Sequence, residues 1–251
     1  TKGNSNFFSK AMKEFIGYKK LVLEAGSGTS QLSIYLALGT NNHIFALDPT
    51  LESIQLGSDF AKNNYINNIS FVKADIFSDV FKEDLFDFIY CSGVLHHTKK
   101  PYHGFDILVK NLKKNGYIVI GLYNKYGRLR TYIRQIIYKY FNKKLVKFLD
   151  PILRKIDHKS LDKINAWTLD QYEHPLESAH TYDEILQWFS KKNIEFIHAI
   201  PCLLLTSNNG NKYFTKITSG NYFTRFCEQI GMIFSKIGGE GGLFIFIKKK
   251  K

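Results

Sequence analysis

The chain is 251 residues long, 44% hydrophobic and 15% aromatic, enough apolar side chain for a sizeable core, which excludes a disordered or purely fibrous protein. Its net charge is +13, but of the 35 basic residues only Arg128, Arg130, Arg134, Arg154 and Arg225 are arginine; forked guanidinium groups suit phosphate and guanine best, so the lysine excess alone does not define a nucleic-acid binder. Cys91, Cys202 and Cys227 form no CxxC pair, which speaks against a disulfide framework or zinc cluster and points to a reducing, cytoplasmic home.

The opening TKGNSNFFSK lacks the apolar core of a signal peptide and reads as a processed chain or a fragment. The longest apolar stretch, 196–205, is broken by His198 and Pro201 and is too short to span a bilayer. From residue 20 onward, short apolar runs alternate with amphipathic stretches, the pattern of an α/β fold in which crossover helices join parallel strands. It predicts strands over 20–25, 43–47, 69–73, 86–91 and 117–122, with helices over 30–38, 51–63 and 102–113. The rhythm then breaks, and 125–180 reads as a helical cap inserted into a single domain spanning 1–251. Thr181 and Glu184 have capping-box spacing at the head of the helix DEILQWFSKKN. A strand IEFIHAI follows, then a second insertion over 201–241 with a helix near 222–237, and a last strand GLFIFIKK.

The strongest local signal is LVLEAGSGTSQLS, a strand ending in Glu24 and followed by Gly26, Gly28, Thr29 and a helix start. Such a turn lets backbone approach a ligand and aims amides at negative charge. Three residues beyond Gly28 stands Gln31 rather than the third glycine of a dinucleotide fingerprint, which disfavours a pyrophosphate. Asp48 ends the second strand, where a carboxylate can accept both ribose hydroxyls. Asp75 closes the third strand beside Ile76, an acceptor for an exocyclic amine next to an apolar surface. Together these suit adenosine without a diphosphate; the structural alternative is that each aspartate only caps a turn or helix.

In these residues the chain resembles the class I S-adenosylmethionine-dependent methyltransferases. The resemblance runs from Lys20 to about Asn124 and implies a Rossmann-like seven-stranded, mostly parallel sheet with an antiparallel last strand and helices on both faces. It implies that Glu24, Gly26 and Gly28 hold the methionine part of S-adenosylmethionine, Asp48 the ribose, Asp75 and Ile76 the adenine. It also sets Ser92, in FDFIYCSGVLHHTKKP, beneath the cofactor, with 93–98 facing the acceptor. Where the family often has glycine, this chain has Ser30, compact enough to preserve the loop and suited to cap the next helix.

Methyl transfer from a sulfonium needs chiefly an in-line nucleophile in a site closed to water, and a hydroxyl acceptor also needs a base. His96 and His97 are candidate bases, or else shape their loop by hydrogen bonding. Tyr123 and Asn124 either orient an acceptor or cap the next helix. In DQYEHPLESAHT, His174, Glu177 and His180 are spaced by three; Pro175 argues against the continuous helix a metal site would need, leaving a polar acceptor pocket with His174 as a second base, or a structural junction.

Residues 125–147 carry eight basic side chains and no acidic one, with Leu129, Ile133, Ile136, Ile137 and Tyr140 at helical spacing. The expected arrangement packs the apolar face on the core and leaves the lysines in water; peripheral membrane contact and RNA contact are the alternatives. The resulting expectation is a methyltransferase acting on an oxygen or nitrogen of a small-molecule acceptor, with an RNA methyltransferase and an inactive cofactor-binding partner subunit as rivals.

Overall fold

The computed structural model describes residues 2–141, 143–156, 160–173, 176–192, 194–201, 213–234 and 241–249. Seven strands form one sheet: β1 (Leu21–Ala25), β2 (His43–Asp48), β3 (Ile69–Lys73), β4 (Phe86–Ser92), β5 (Leu112–Tyr123), β6 (Ile194–Ile200) and β7 (Gly242–Lys249). Their order is β3-β2-β1-β4-β5-β7-β6, with β7 antiparallel to both neighbours and the remaining pairs parallel. This is the Rossmann-like α/β architecture expected from the sequence.

Period-two side-chain alternation splits the central strands between two hydrophobic layers. Leu23, Ile89, Cys91, Ile118 and Ile120 join the core on one face, whereas Val22, Phe88, Val119 and Phe246 join the core on the other. Strands buried on both faces need helices on both, as their near-continuous apolar runs require. The helices are α1 (Lys2–Ile16), α2 (Gln31–Ala37), α3 (Leu51–Asn63), α4 (Pro101–Asn111), α5 (Leu129–Tyr140), α6 (Lys143–Leu149), α7 (Leu161–Thr168), α8 (Tyr182–Ser190) and α9 (Tyr222–Phe234). α1, which the sequence pattern leaves unassigned, seals one face of the sheet with Met12 and Ile16. α4 begins at Pro101, whose missing N–H would be unpaired there in any case. α8 opens as the capping-box spacing predicts, the Thr181 side chain accepting a hydrogen bond from the Glu184 amide at 3.2 Å.

α5, α6, α7 and a π-helical turn at Leu169–Glu173 lie between β5 and α8. They carry a small core of their own around Val146, Leu153 and Ile164. The apolar side expected to face inward over 125–147 mostly points outward, although Ile137 packs against this small core. Leu129, Ile133, Ile136 and Tyr140 face solvent, while Thr131 and Arg134 are buried. The inward face of α5 is taken by hydrogen bonds to the π-helical turn, Gln135 Nε2 donating to the Gln171 carbonyl at 2.8 Å and the Tyr138 hydroxyl donating to Glu173. The basic stretch is also two helices, α5 and α6.

The strand order reverses between β1 and β4, and in open α/β sheets the crevice outside the carboxyl ends at such a switch point receives the ligand. The β1–α2 turn, the end of β2 and the end of β4 therefore converge at that edge.

Candidate active site

The β1–α2 turn is tied to the end of β2 by backbone: the Gly26 and Ser27 amides both donate to the Leu47 carbonyl, at 2.8 and 2.9 Å. Gly26 has φ +76°, and a Cβ there would lie 2.0 Å from Val94 Cγ2, so only glycine fits between β1 and the loop after β4. Ser30 also has positive φ, at 59°, a conformation glycine adopts most readily. Its side chain does not cap α2 as the sequence suggested, because this backbone turns the hydroxyl to Ser27 Oγ at 3.1 Å.

Asp48 latches the turn. One carboxylate oxygen accepts the Gly28 amide at 2.9 Å and the other the Thr50 amide at 2.9 Å. A carboxylate can accept about four hydrogen bonds, so each oxygen retains capacity for a hydroxyl. Glu24 is turned the other way: it is buried and accepts from the Ser33 amide at 2.8 Å and the Ser33 hydroxyl at 2.5 Å. Burial, and to a smaller extent the charge of Asp48, pushes the Glu24 carboxyl up to about 7 against the pull of those bonds. Thr29 is exposed at the tip of the turn. Asp75 lies two residues past β3, exposed, with one oxygen accepting the Phe77 amide at 2.8 Å, while Ile76 is buried in the core. Ala74 ties this loop to the Asp48 carbonyl at 3.2 Å. Ser92 ends β4 opposite Gly121 of β5, where a Cβ would lie 2.3 Å from Ser92 Oγ.

The loop after β4 forms a 3₁₀ turn at Leu95–His97. His96 is buried, and among the described residues neither ring nitrogen has a hydrogen-bond partner within ordinary geometry. Burial, aided by His97 and Arg128, lowers its pKa to about 3. His97 is half-buried, its Nδ1 3.0 Å from the Leu176 carbonyl; donation there makes Nε2 the basic nitrogen of the neutral ring. Tyr123, at the end of β5, is sandwiched: its ring centroid lies 4.0 Å from that of His96, and the Arg128 guanidinium carbon 3.8 Å from it on an Arg-over-ring contact. Burial raises the Tyr123 phenol above its usual range.

Arg128 is fully buried. It pairs through Nε (3.1 Å) and Nη2 with Glu177 and donates from Nη1 to Gln171 at 2.7 Å, and Gln171 in turn donates to the Tyr123 hydroxyl at 3.3 Å. Segment 176–180 thereby lies against the loop after β4 and the end of β5: the Ser178 amide donates to the His96 carbonyl and the His180 amide to the Tyr123 carbonyl, each at 2.8 Å. His180 contacts Glu184 at 2.7 Å and Ser178 at 3.0 Å, while Glu177 pairs with Arg128. His174 lies outside the described residues. Asn124 caps the turn before α5, its Oδ1 accepting the Tyr126 and Gly127 amides at 3.0 Å each, and its Nδ2 donates to Gln229 of α9 at 2.9 Å. Arg128, Gln171 and Gln229 were not singled out by sequence; the available signal was the rarity of arginine in a lysine-rich chain, since Arg128 looks like one more surface cation beside its neighbours.

Strand order, glycine turn and acidic strand ends together define a methyltransferase-type α/β domain. The chain belongs to the class I S-adenosylmethionine-dependent methyltransferases, the family model described as a methyltransferase domain matching residues 18–194. Among solved structures, PKMT2 from Rickettsia typhi is similar over 96% of this chain and 52% of its own, with 15% identity and a TM-score of 0.66, and it is also known in complex with AdoHcy. A SAM-dependent methyltransferase from Aquifex aeolicus aligns over 96% of this chain and 88% of its own, with 12% identity and a TM-score of 0.52. At these identities the likeness establishes the fold. An uncharacterized protein from Synechococcus sp. is 30% identical over 117 residues, 46% of this chain and 28% of that protein. The chain thus spans about half of the Rickettsia protein and less of the Synechococcus one.

Proposed function

We propose that the chain binds S-adenosylmethionine across the 26–30 turn and transfers its methyl group to an oxygen or nitrogen of a small-molecule acceptor. The observation that carries this reading is Asp48: anchored by two backbone amides yet with acceptor capacity on both oxygens, it is built to take a ribose diol. The surroundings fit the cofactor. A Cβ at Gly28 or Gly93 would meet no atom within 4 Å, so backbone is open to a ligand on both sides of the switch point. Gly26 and Gly28 would border the methionine portion, Ser92 would lie below it, and Asp75 with the edge of Ile76 would face the adenine. Glu24 would act through Ser33 and α2, shaping the turn. When bound, the sulfonium supplies the activated methyl group.

The protein's own work is then positioning, exclusion of water and, for a hydroxyl acceptor, removal of a proton. His97 Nε2 is the better base of the pair, because burial makes His96 too weak a base near neutrality. Tyr123, held protonated, can donate to the acceptor or orient it. Segment 176–180 closes over the 3₁₀ turn, which favours an enclosed small molecule over a polymer. The RNA reading is weakened because two of the arginines it relied on, Arg128 and Arg134, are buried within the insertion.

The test is transfer from methyl-labelled cofactor to fractions of small metabolites, lipids and RNA, with His97→Asn alongside the wild type. Label should enter the small-molecule fraction. The variant should lose roughly 10²-fold in rate and the acidic limb of the pH profile at unchanged cofactor affinity. Label entering RNA alone, or cofactor binding with no transfer to any fraction, contradicts the reading.

A further inference from the structure

We propose that α5 and α6 form a peripheral docking surface for an anionic lipid bilayer. On α5, Leu129, Ile133, Ile136 and Tyr140 are 45%, 52%, 53% and 69% exposed, and at 3.6 residues per turn they fall within an arc of about 60°. Exposed cations flank that stripe, Arg130 on one side and Lys139 on the other, with Lys125 at its start. Phe141 after α5 and Leu145, Phe148 and Leu149 of the neighbouring α6 are exposed as well, as is Lys147. No acidic residue occurs from 125 to 149.

The reversal of polarity is what makes the surface informative. The side of α5 that would normally be apolar and buried carries Thr131, Arg134, Gln135 and Tyr138, engaged with one another or with the π-helical turn. The aliphatic stripe therefore has no place in the molecule's own core, and water is a poor solvent for it. An apolar stripe bordered by cations is the arrangement of a helix lying in the plane of a membrane interface, where the aliphatic groups enter the acyl boundary and the cations meet anionic headgroups. A second copy is a poor occupant, since a two-fold contact would set the same cations opposite one another. RNA is a poor occupant too, because an aliphatic stripe offers neither stacking faces nor hydrogen bonds to bases. The proposal uses none of the residues assigned to methyl transfer, so the two stand or fall separately.

The test is flotation of the full chain with phosphatidylcholine vesicles, alone or with about one-third phosphatidylglycerol. The wild type should float with the anionic vesicles, about tenfold less with phosphatidylcholine alone, and less again in high salt. Ile133→Asp with Ile136→Asp should abolish flotation at unchanged melting temperature, both residues being exposed, and Lys139→Glu should weaken it severalfold. Absence of vesicle binding, or binding indifferent to these substitutions, overturns the proposal. So does an oligomer in solution that the aspartate pair dissociates, which would assign the stripe to a second copy.

Discussion

Glu24 sits in an environment that disfavours its own charge. Its folded pKa of about 7 lies above the ordinary 4.5, so its contribution to stability is fully present below pH 4.5 and is lost as pH rises through about 7. The shift corresponds to about 3 kcal/mol. Glu24→Gln should therefore gain stability relative to wild type by up to about that amount between pH 4.5 and 8, measured by urea unfolding at several pH values. A difference that stays constant with pH would contradict the account. At this scale the glycine turn and Asp48 were legible because their chemistry is local: a positive φ and a strand-end carboxylate follow from a few neighbouring letters. The Ser30 cap failed because the same positive φ rotates the hydroxyl away from α2, a fact that sequence spacing does not contain. The partner of Glu24 also depends on where α2 begins in space.

At the scale of elements, the Arg128–Glu177 pair joins the start of α5 to segment 176–180, with Arg128 stacked on Tyr123 beside His96. Truncating one member of a buried pair leaves the other charge without compensation, at a cost of about 3 kcal/mol or more, whereas an exposed pair is worth under about 1. Glu177→Ala should lose the larger amount in urea unfolding, and Arg128→Met in the Glu177→Ala background should restore part of it. A loss below about 1 kcal/mol would show that the pair does not hold the segment. The strands and crossover helices were readable, several to the residue, because burial on both faces writes apolar runs into the sequence. α5 was not, because its spacing identified an amphipathic helix while leaving open which side faces inward. That choice is made by Gln171 and Glu173, more than thirty residues away.

For the whole molecule, the order β3-β2-β1-β4-β5-β7-β6 brings the β1–α2 turn, Asp48, Asp75 and Ser92 to the crevice at the strand switch point. Four short motifs in sequence order, the β1–α2 turn, Asp48, Asp75 with Ile76 and the Ser92 segment, were enough to anticipate that convergence, since each lies at or just past the carboxyl end of one of the strands β1 to β4 in turn. Segments 125–180 and 201–241 were legible only as breaks in the alternation, because contacts of their described residues, such as Arg128 with Glu177 and Gln229 with Asn124, are long-range. Segment 176–180 also lies against the loop after β4. Calorimetric titration of the full chain with S-adenosylmethionine tests the central claim most directly. The wild type should bind, and Asp48→Ala should weaken binding by about 1–3 kcal/mol through loss of charge-assisted hydrogen bonds. A wild type that gives no binding isotherm, or a variant with unchanged affinity, would contradict a ribose held at Asp48.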